Sequence, residues 1–468
     1  MTIKKLLIAN RGEIASRIIR SAHDMGIATV AIYTEPDSNS PYVRQANEAF
    51  KLETSYLDSK EILNIASKAN VDAIHPGYGF LSENYNFANQ VKKANLKWVG
   101  PSANAIKKMG DKLIAKTLSE KAGVPTLPMT NNPKNADKIG FPILVKAAAG
   151  GGGKGMRIVR KQKELKDAIT SAEREAEGGF GDKRVFLERY IAKSRHIEIQ
   201  ILGDSHGNII HLGERECSIQ RRHQKVVEES PSPIIDYDLR NKMGEAAIKM
   251  ASLLKYESAG TVEFLFDEKT KEFWFLEVNT RLQVEHPVTE EVTGIDLVRE
   301  QLKIANGDPL SISQDDVEII GSSIEVRLYS EDPGNDFLPV TGKLIAFDPC
   351  EEPLVRWDVG VESGSEITPN FDPMLAKIIS YGEDRIEAAN KLALALEKSH
   401  FGGLKTNRDY LIAILRSEEF LKGNTTTDFL NQANIKDEIN LTKEEVLLTA
   451  ISASTVSYTH LTLPTILP

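Results

Sequence analysis

Glu263 and Glu277 lie in two strand-like runs, 261–266 and 273–279, on either side of a polar stretch from Asp267 to Glu272. A hairpin centred on Thr270 sets the two carboxylates directly opposite each other, and Asn279, two residues beyond Glu277, shares its face. Two carboxylates and an amide beside Phe264 and Phe275 repel one another unless a cation lies between them, and hard oxygen donors of this kind suit Mg²⁺ or Mn²⁺ bridging phosphates. The competing reading is a pair of solvated strand glutamates. Directly downstream, Arg281, Gln283 and Glu285 alternate onto one side if the segment is extended. They form a cradle for a small oxyanion, in which Arg281 grips in two places and Glu285 takes a proton; an exposed salt-bridged edge is the structural alternative. Gly150 to Gly155 carries five glycines in six positions around Lys154. Its backbone N–H groups are free to close over phosphates, although no Ser or Thr follows the lysine as a Walker loop requires, and a flexible surface loop is the plain alternative. Gln220-Arg-Arg-His-Gln-Lys225 adds a concentration of positive charge able to focus phosphates.

The elements that position these groups follow from hydrophobic periodicity. Leu6 to Ala9 reads as a strand, Ile14, Ile18, Ala22 and Met25 recur at helical spacing until Gly26, and Thr29 to Tyr33 starts a second strand. Such a unit builds a parallel sheet, and the turn Asn10-Arg-Gly-Glu13 lacks the G-x-G-x-x-G spacing of a dinucleotide site. The runs 141–146 and 157–160 flank the glycine loop as a hairpin. The 468 residues are enough for about three domains, with 58 basic against 67 acidic residues and a net charge of −9. That balance disfavours nucleic acid as the main partner, and no apolar run is long enough to span a membrane. Two cysteines, Cys217 and Cys350, and no secretory signal point to a reducing compartment, with the cytoplasm as the expected location. Cys217 is read as a buried small hydrophobe rather than a nucleophile. Ala247-Ile-Lys-Met250 imitates a biotinylation site but falls in an amphipathic helix. The segment 456–468 reads like translated sequencing adaptor, so the natural chain is expected to continue beyond about residue 455.

Four longer motifs are specific: Ile8-Ala-Asn-Arg-Gly-Glu-Ile-Ala15, His75-Pro-Gly-Tyr-Gly-Phe-Leu-Ser-Glu-Asn84, Gln220-Arg-Arg-His-Gln-Lys-Val-Val-Glu-Glu229 and Glu277-Val-Asn-Thr-Arg-Leu-Gln-Val-Glu-His-Pro287. Together, from about Ile3 to Leu430, the chain resembles the biotin carboxylase family of ATP-grasp enzymes. The resemblance implies an α/β fold: a Rossmann-like N-terminal domain (1–111), an ATP-grasp domain (112–312) and an α+β C-terminal domain (313–435), followed by a linker (436–455). It implies carboxylation of protein-bound biotin by MgATP and bicarbonate through carboxyphosphate, the first half-reaction of an acyl-CoA carboxylase. Alternatives are another ATP-grasp ligase that activates a carboxylate, and a non-catalytic ATP-binding regulatory subunit.

By this resemblance Lys112 and Lys146 contact ATP phosphates, and Gly151, Gly152, Gly153, Lys154, Gly155 and Met156 belong to the lid. Glu188, Arg189, Tyr190 and Ile191 border the adenine, while His196, Gln220, His223 and Leu265 line the nucleotide pocket. Glu263, Glu277 and Asn279 hold Mg²⁺ or Mn²⁺. Arg281, Gln283 and the Val284 backbone grip bicarbonate, Glu285 is the base, Lys225 sits beside the transferred phosphoryl group, and Arg356 stabilises the ureido anion of biotin. Phe371-Asp-Pro-Met-Leu-Ala-Lys377 and Gly403-Leu-Lys-Thr-Asn407 look most like acyl-CoA carboxylase α-subunits. The implied partners are therefore a biotinyl domain fused downstream, a carboxyltransferase subunit and a second copy of the chain.

Overall fold

The first strand, β1 (Lys5–Ile8), is apolar and buried from Leu6 to Ile8 because both faces of its sheet are covered there. It leads into α1 (Gly12–Asp24), which buries Ile14, Ala15, Ile18, Ile19 and Ala22 against it, and the positive φ of Gly26 turns the chain into β2 (Ala28–Tyr33). With β3 (Glu48–Lys51), β4 (Ala73–His75) and β5 (Lys97–Trp98) these form a parallel sheet of order β3-β2-β1-β4-β5. The turn after β1 is structural: the Asn10 amide donates to the carbonyls of Pro76 and Tyr78, each at 2.7 Å, and so ties it to the loop after β4. The computed structural model describes residues 2–150, 156–221, 224–432 and 435. The expectations for Gly151, Gly152, Gly153, Lys154, Gly155, His223 and the segments 436–455 and 456–468 fall outside the described residues.

After α2 (Lys112–Lys121), a four-stranded antiparallel sheet of order β6-β9-β7-β8 is built from β6 (Met129–Thr130), β7 (Ile143–Ala147), β8 (Arg157–Val159) and β9 (Val185–Arg189). β7 and β8 pair in the register Ile143↔Val159, so the glycine loop does connect a hairpin. The second large element is an eight-stranded antiparallel sheet. It contains β10 (Arg195–Gly203), β11 (Ile209–Arg221), β12 (Gln224–Ser230), β13 (Ser258–Phe266), β14 (Phe273–Asn279), β15 (Ser322–Tyr329), β16 (Arg356–Val359) and β17 (Met374–Gly382), in the order β14-β13-β10-β11-β12-β15-β17-β16. Its ladder crosses the boundary expected near residue 312, because Val227 to Ser230 of β12 pair with Ser323 to Val326 of β15. Residues up to Ile435 accordingly form one compact unit. Ala247 and Met250 are buried in α3 (Tyr237–Leu254), where a helix rather than an exposed hairpin carries Lys249. Among the described residues no helix is long and apolar enough to cross a membrane.

Two local devices shape the site. Phe264 packs edge-on against Phe273 (5.3 Å) and Phe275 (6.5 Å), contacts worth about 0.5–1.5 kcal/mol each beyond burial, and they fix the β13–β14 hairpin. A bulge between the pairs Glu263↔Glu277 and Phe264↔Phe275 makes Leu276 the extra residue. Leu276 and Glu277, neighbours that simple alternation would send to opposite faces, consequently both line the cavity described below.

His75 ends β4 fully buried; Nδ1 accepts from the Gly77 amide at 3.0 Å, so Nε2–H donates to Gln301 Oε1 at 3.2 Å. Burial pushes this imidazole down to about 3. Below about pH 6.5 the unfolded chain binds a proton that the folded chain refuses, so stability is full above that pH and is lost as pH falls from 6.5 toward 3, by up to about 5 kcal/mol. Urea midpoints measured at a series of pH values should show this acid loss, and His75→Gln should flatten it; parallel curves for the two proteins would exclude His75 as its source.

Candidate active site

One cavity of about 1510 Å³ collects residues from the eight-stranded sheet, the hairpin sheet and the segments that follow β1 and β4, which is room for more than one substrate. At its floor, Lys225 on β12 donates to Glu198 (2.6 Å), Glu263 (3.2 Å) and Glu285. Burial opposes charge on this lysine, but Cys217, Glu198, Glu263 and Glu285 hold its pKa well above the ordinary value. Burial likewise would raise Glu263 and Glu285. The first is instead held well below the usual carboxylate range by Lys225 and His196, and the second by Lys225, Arg327 and Arg215. The Gln220 amide nitrogen donates to His196 Nδ1 (2.7 Å), which leaves the Nε2 proton directed at Glu263 Oε2, 2.9 Å away. Cys217 lies fully buried beneath Lys225, and burial pushes its thiol up, so it is a packed hydrophobe rather than a nucleophile.

Glu263 and Glu277 face each other in register, as the hairpin reading expects. Asn279 Nδ2 donates to Glu263 (2.7 Å), Arg281 donates to Asn279 Oδ1 (3.1 Å), and Lys112 pairs with Glu277 (3.1 Å). These oxygen donors fit a hard divalent cation, whose charge would replace that of Lys112 on Glu277. A second grouping, His196, Glu198 and Glu263, brings its ligand atoms within 4.8 Å of one another, but the Lys225 ammonium binds both carboxylates there.

Residues 281–285 turn rather than run extended, because Glu285 is the N-cap of α4 (His286–Thr293). The side chains still converge. Arg281 donates to Gln283 Oε1 (2.5 Å) and to Glu83 (3.2 Å), Lys377 holds the Val284 carbonyl (2.9 Å), and Arg281, Gln283, Val284 and Glu285 all border the cavity.

Leu144, Met156, Ile158, Leu265 and Leu276 add apolar surface to the cavity lining, which also includes Arg189, Tyr190 and Ile191. Glu188 also borders the cavity, next to Arg189, Tyr190 and Ile191. Fully buried, it pairs with Lys146 (3.2 Å) and with Lys116, a lysine that sequence reasoning did not single out. Burial lowers the pKa of Lys146, and Glu188 opposes that shift.

Arg356 requires correction. Its guanidinium is bound by Glu290 (2.9 Å), Glu291 (3.1 Å) and Asp358 (3.0 Å) and does not border the cavity. Arg327 on β15 does border it, held by Glu228 (2.7 Å from Nε) and by Glu285 (3.1 Å). The available signal was the strand Ser322–Tyr329 itself, where Glu325 and Arg327 alternate with Ile324, Val326 and Leu328.

Family models match nearly the whole of this frame: the biotin carboxylase N-terminal domain over residues 2–106, the ATP-binding domain of the carbamoyl-phosphate synthase L chain over 101–313, and the biotin carboxylase C-terminal domain over 325–432. Biotin carboxylase 2 of Bacillus subtilis is 47% identical over 441 residues, covering 92% of this chain and 99% of that protein. The chain belongs to the biotin carboxylase family. Among solved structures, a biotin carboxylase from Campylobacter jejuni in complex with β,γ-ATP superposes with a TM-score of 0.89 at 42% identity, over 92% of this chain and 99% of that one. The biotin carboxylase domain dimer of Hydrogenobacter thermophilus 2-oxoglutarate carboxylase, with MgADP, ADP and bicarbonate, gives 0.90 at 42%, over 92% and 98%. The mitochondrial methylcrotonoyl-CoA carboxylase α-subunit of Rattus norvegicus is 44% identical over 92% of this biotin carboxylase chain, which spans 62% of that subunit.

Proposed function

We propose that this chain activates bicarbonate with ATP as carboxyphosphate and carboxylates N1′ of a protein-bound biotin. One arrangement carries the reading: Glu285, ionised between Lys225 and Arg327, shares a cavity with the Arg281–Gln283 grip and the Glu263–Glu277 pair. Mg²⁺ or Mn²⁺ held by Glu263, Glu277 and Asn279 would neutralise phosphate charge. Arg281 and Gln283 orient bicarbonate, and Glu285 removes its proton. The contact with Lys225 that keeps Glu285 ionised also weakens it as a base. A nucleotide phosphate that draws the lysine away raises the basicity of Glu285 when substrate is in place. The carboxyphosphate then gives CO₂ and phosphate, and the phosphate takes the biotin N1′ proton. The role of stabilising the resulting ureido anion falls to Arg327, the cavity-lining guanidinium of β15. A biotinyl domain, a carboxyltransferase subunit and a second copy of the chain are the partners this chemistry calls for.

Phosphate release from MgATP should need both bicarbonate and biotin, and Glu285→Gln should lower it about 100-fold. ATP binding without bicarbonate-dependent release in folded protein would overturn the proposal in favour of a regulatory subunit.

A further inference from the structure

Next to Arg327 on the same face of the sheet, but outside the cavity lining, β12 and β15 place two carboxyl groups directly opposite each other. Glu228 and Glu325 are partners in the antiparallel register, and both are fully buried. Ile324, Val326 and Leu328 point the other way, into the apolar core under α5 (Arg385–Lys398) and α6 (Arg408–Arg416), so those helices supply no charge to this face. Glu228 Oε1 accepts from Arg327 Nε at 2.7 Å, and Arg327 Nη2 lies 2.5 Å from the same oxygen; Glu228 Oε2 and both Glu325 oxygens have no hydrogen-bond partner among the described residues. The remaining charges facing the pair are Lys377 of β17, opposite Arg327, and Glu285 and Lys225 on the cavity side. His286 of α4 stays neutral, because burial pushes its imidazole well down.

Opposed Cβ atoms in such a pair are about 5 Å apart, and two bare carboxylates at that range in an apolar setting do not both ionise. We propose that Glu228 and Glu325 form a carboxyl–carboxylate pair that positions Arg327, with Glu325 protonated and a single negative charge, on Glu228, beside the guanidinium. Burial pushes Glu325 far above the carboxylate range; Lys377 opposes this and Glu228 reinforces it. Burial raises Glu228 as well, to about 7, but Arg327 opposes the rise, and as the member with a cation partner Glu228 takes the charge. A second charge on Glu325 would bind Arg327 more tightly from outside the cavity and draw it away. The role assigned to the pair rests on the biotin carboxylase reading, in which Arg327 faces substrate.

The test uses the full chain. Wild-type protein at neutral pH should show protonated-carboxyl C=O stretches in its infrared spectrum, and Glu325→Gln, which mimics the neutral acid, should remove one component, leaving that of the buried Glu216, raised to about 7. Over about pH 6–9, Glu325→Gln should keep biotin-dependent kcat within about 3-fold of wild type and lose part of the alkaline decline, whereas Glu228→Gln should lower kcat about 100-fold with KM for ATP unchanged. Absence of protonated-carboxyl absorption from wild type, a spectrum unchanged in Glu325→Gln, or equal losses of kcat in the two variants would overturn the proposal. Failure of wild type to turn over would instead overturn the biotin carboxylase reading, while the infrared difference still reports on the Glu325 proton.

Discussion

Arg327→Ala should lower biotin-dependent phosphate release about 1000-fold, whereas Arg356→Ala should leave it within about 3-fold of wild type. Arg327 borders the cavity and touches Glu285, so its guanidinium lies where anionic substrate develops charge. Arg356 lies outside, among Glu290, Glu291 and Asp358. Its loss should register as stability. Glu290 keeps Arg17 (2.8 Å) and Asp358 keeps Arg20 (2.9 Å), so the cost is about 2 kcal/mol rather than that of an abandoned charge. Two readouts separate a lost anion contact from a damaged fold. Arg327→Ala should retain the KM for ATP and any slow bicarbonate-dependent ATP cleavage without biotin. Arg327→Lys should recover only part of the rate, since an ammonium lacks the two-pronged geometry. The opposite ranking of Arg327→Ala and Arg356→Ala would return the anion-stabilising role to Arg356.

The contrast between these two arginines shows where sequence reading stops. The β13–β14 hairpin was legible because a hairpin is local, but its turn sets the register Phe266↔Phe273, which alone would bring Leu276 opposite Glu263; the bulge restores Glu277 to that place. The β7–β8 hairpin and the β1–α1–β2 unit were legible for the same reason. Arg281, Gln283 and Glu285 do reach one cavity, but through a turn ending in a helix cap, which alternation does not describe. The bulge that sends Leu276 to the site leaves no compositional mark. Arg327 depends on the pairing of β12 with β15, strands almost a hundred residues apart in the chain. Such pairing is set by packing across the whole sheet, and motif spacing carries no trace of it. Lys116 carries no motif of its own; only the fold places it, as one of two cations that the buried Glu188 carboxylate pairs with beside the cavity.

Lys225→Met should be the most damaging single change in the cavity, because three buried carboxylates, Glu198, Glu263 and Glu285, converge on that ammonium. Glu198 would keep Arg215 (2.5 Å), Glu263 would keep His196 (2.9 Å) and Glu285 would keep Arg327 (3.1 Å), so the fold should survive with a loss of about 3–5 kcal/mol. Turnover should fall about 1000-fold, through loss of both the phosphoryl contact and the control of Glu285. The pH dependence identifies the cause. In the wild type Glu263 and Glu285 are held below their unfolded value of about 4.5, so the unfolded chain binds more protons and their contribution is lost as pH falls below that value. Without Lys225, burial and mutual repulsion raise both groups, the folded chain becomes the better proton acceptor, and the slope reverses: the variant regains stability relative to wild type as pH drops from 7 toward 5. Melting curves at these two pH values, with and without Mg²⁺, measure the effect. A deficit that stayed constant with pH would mean that lost packing of the lysine stem, rather than uncompensated charge, had destabilised the protein. A deficit that shrank in acid and again on adding Mg²⁺ would show that the site is built around a cation, supplied by Lys225 when no metal is bound.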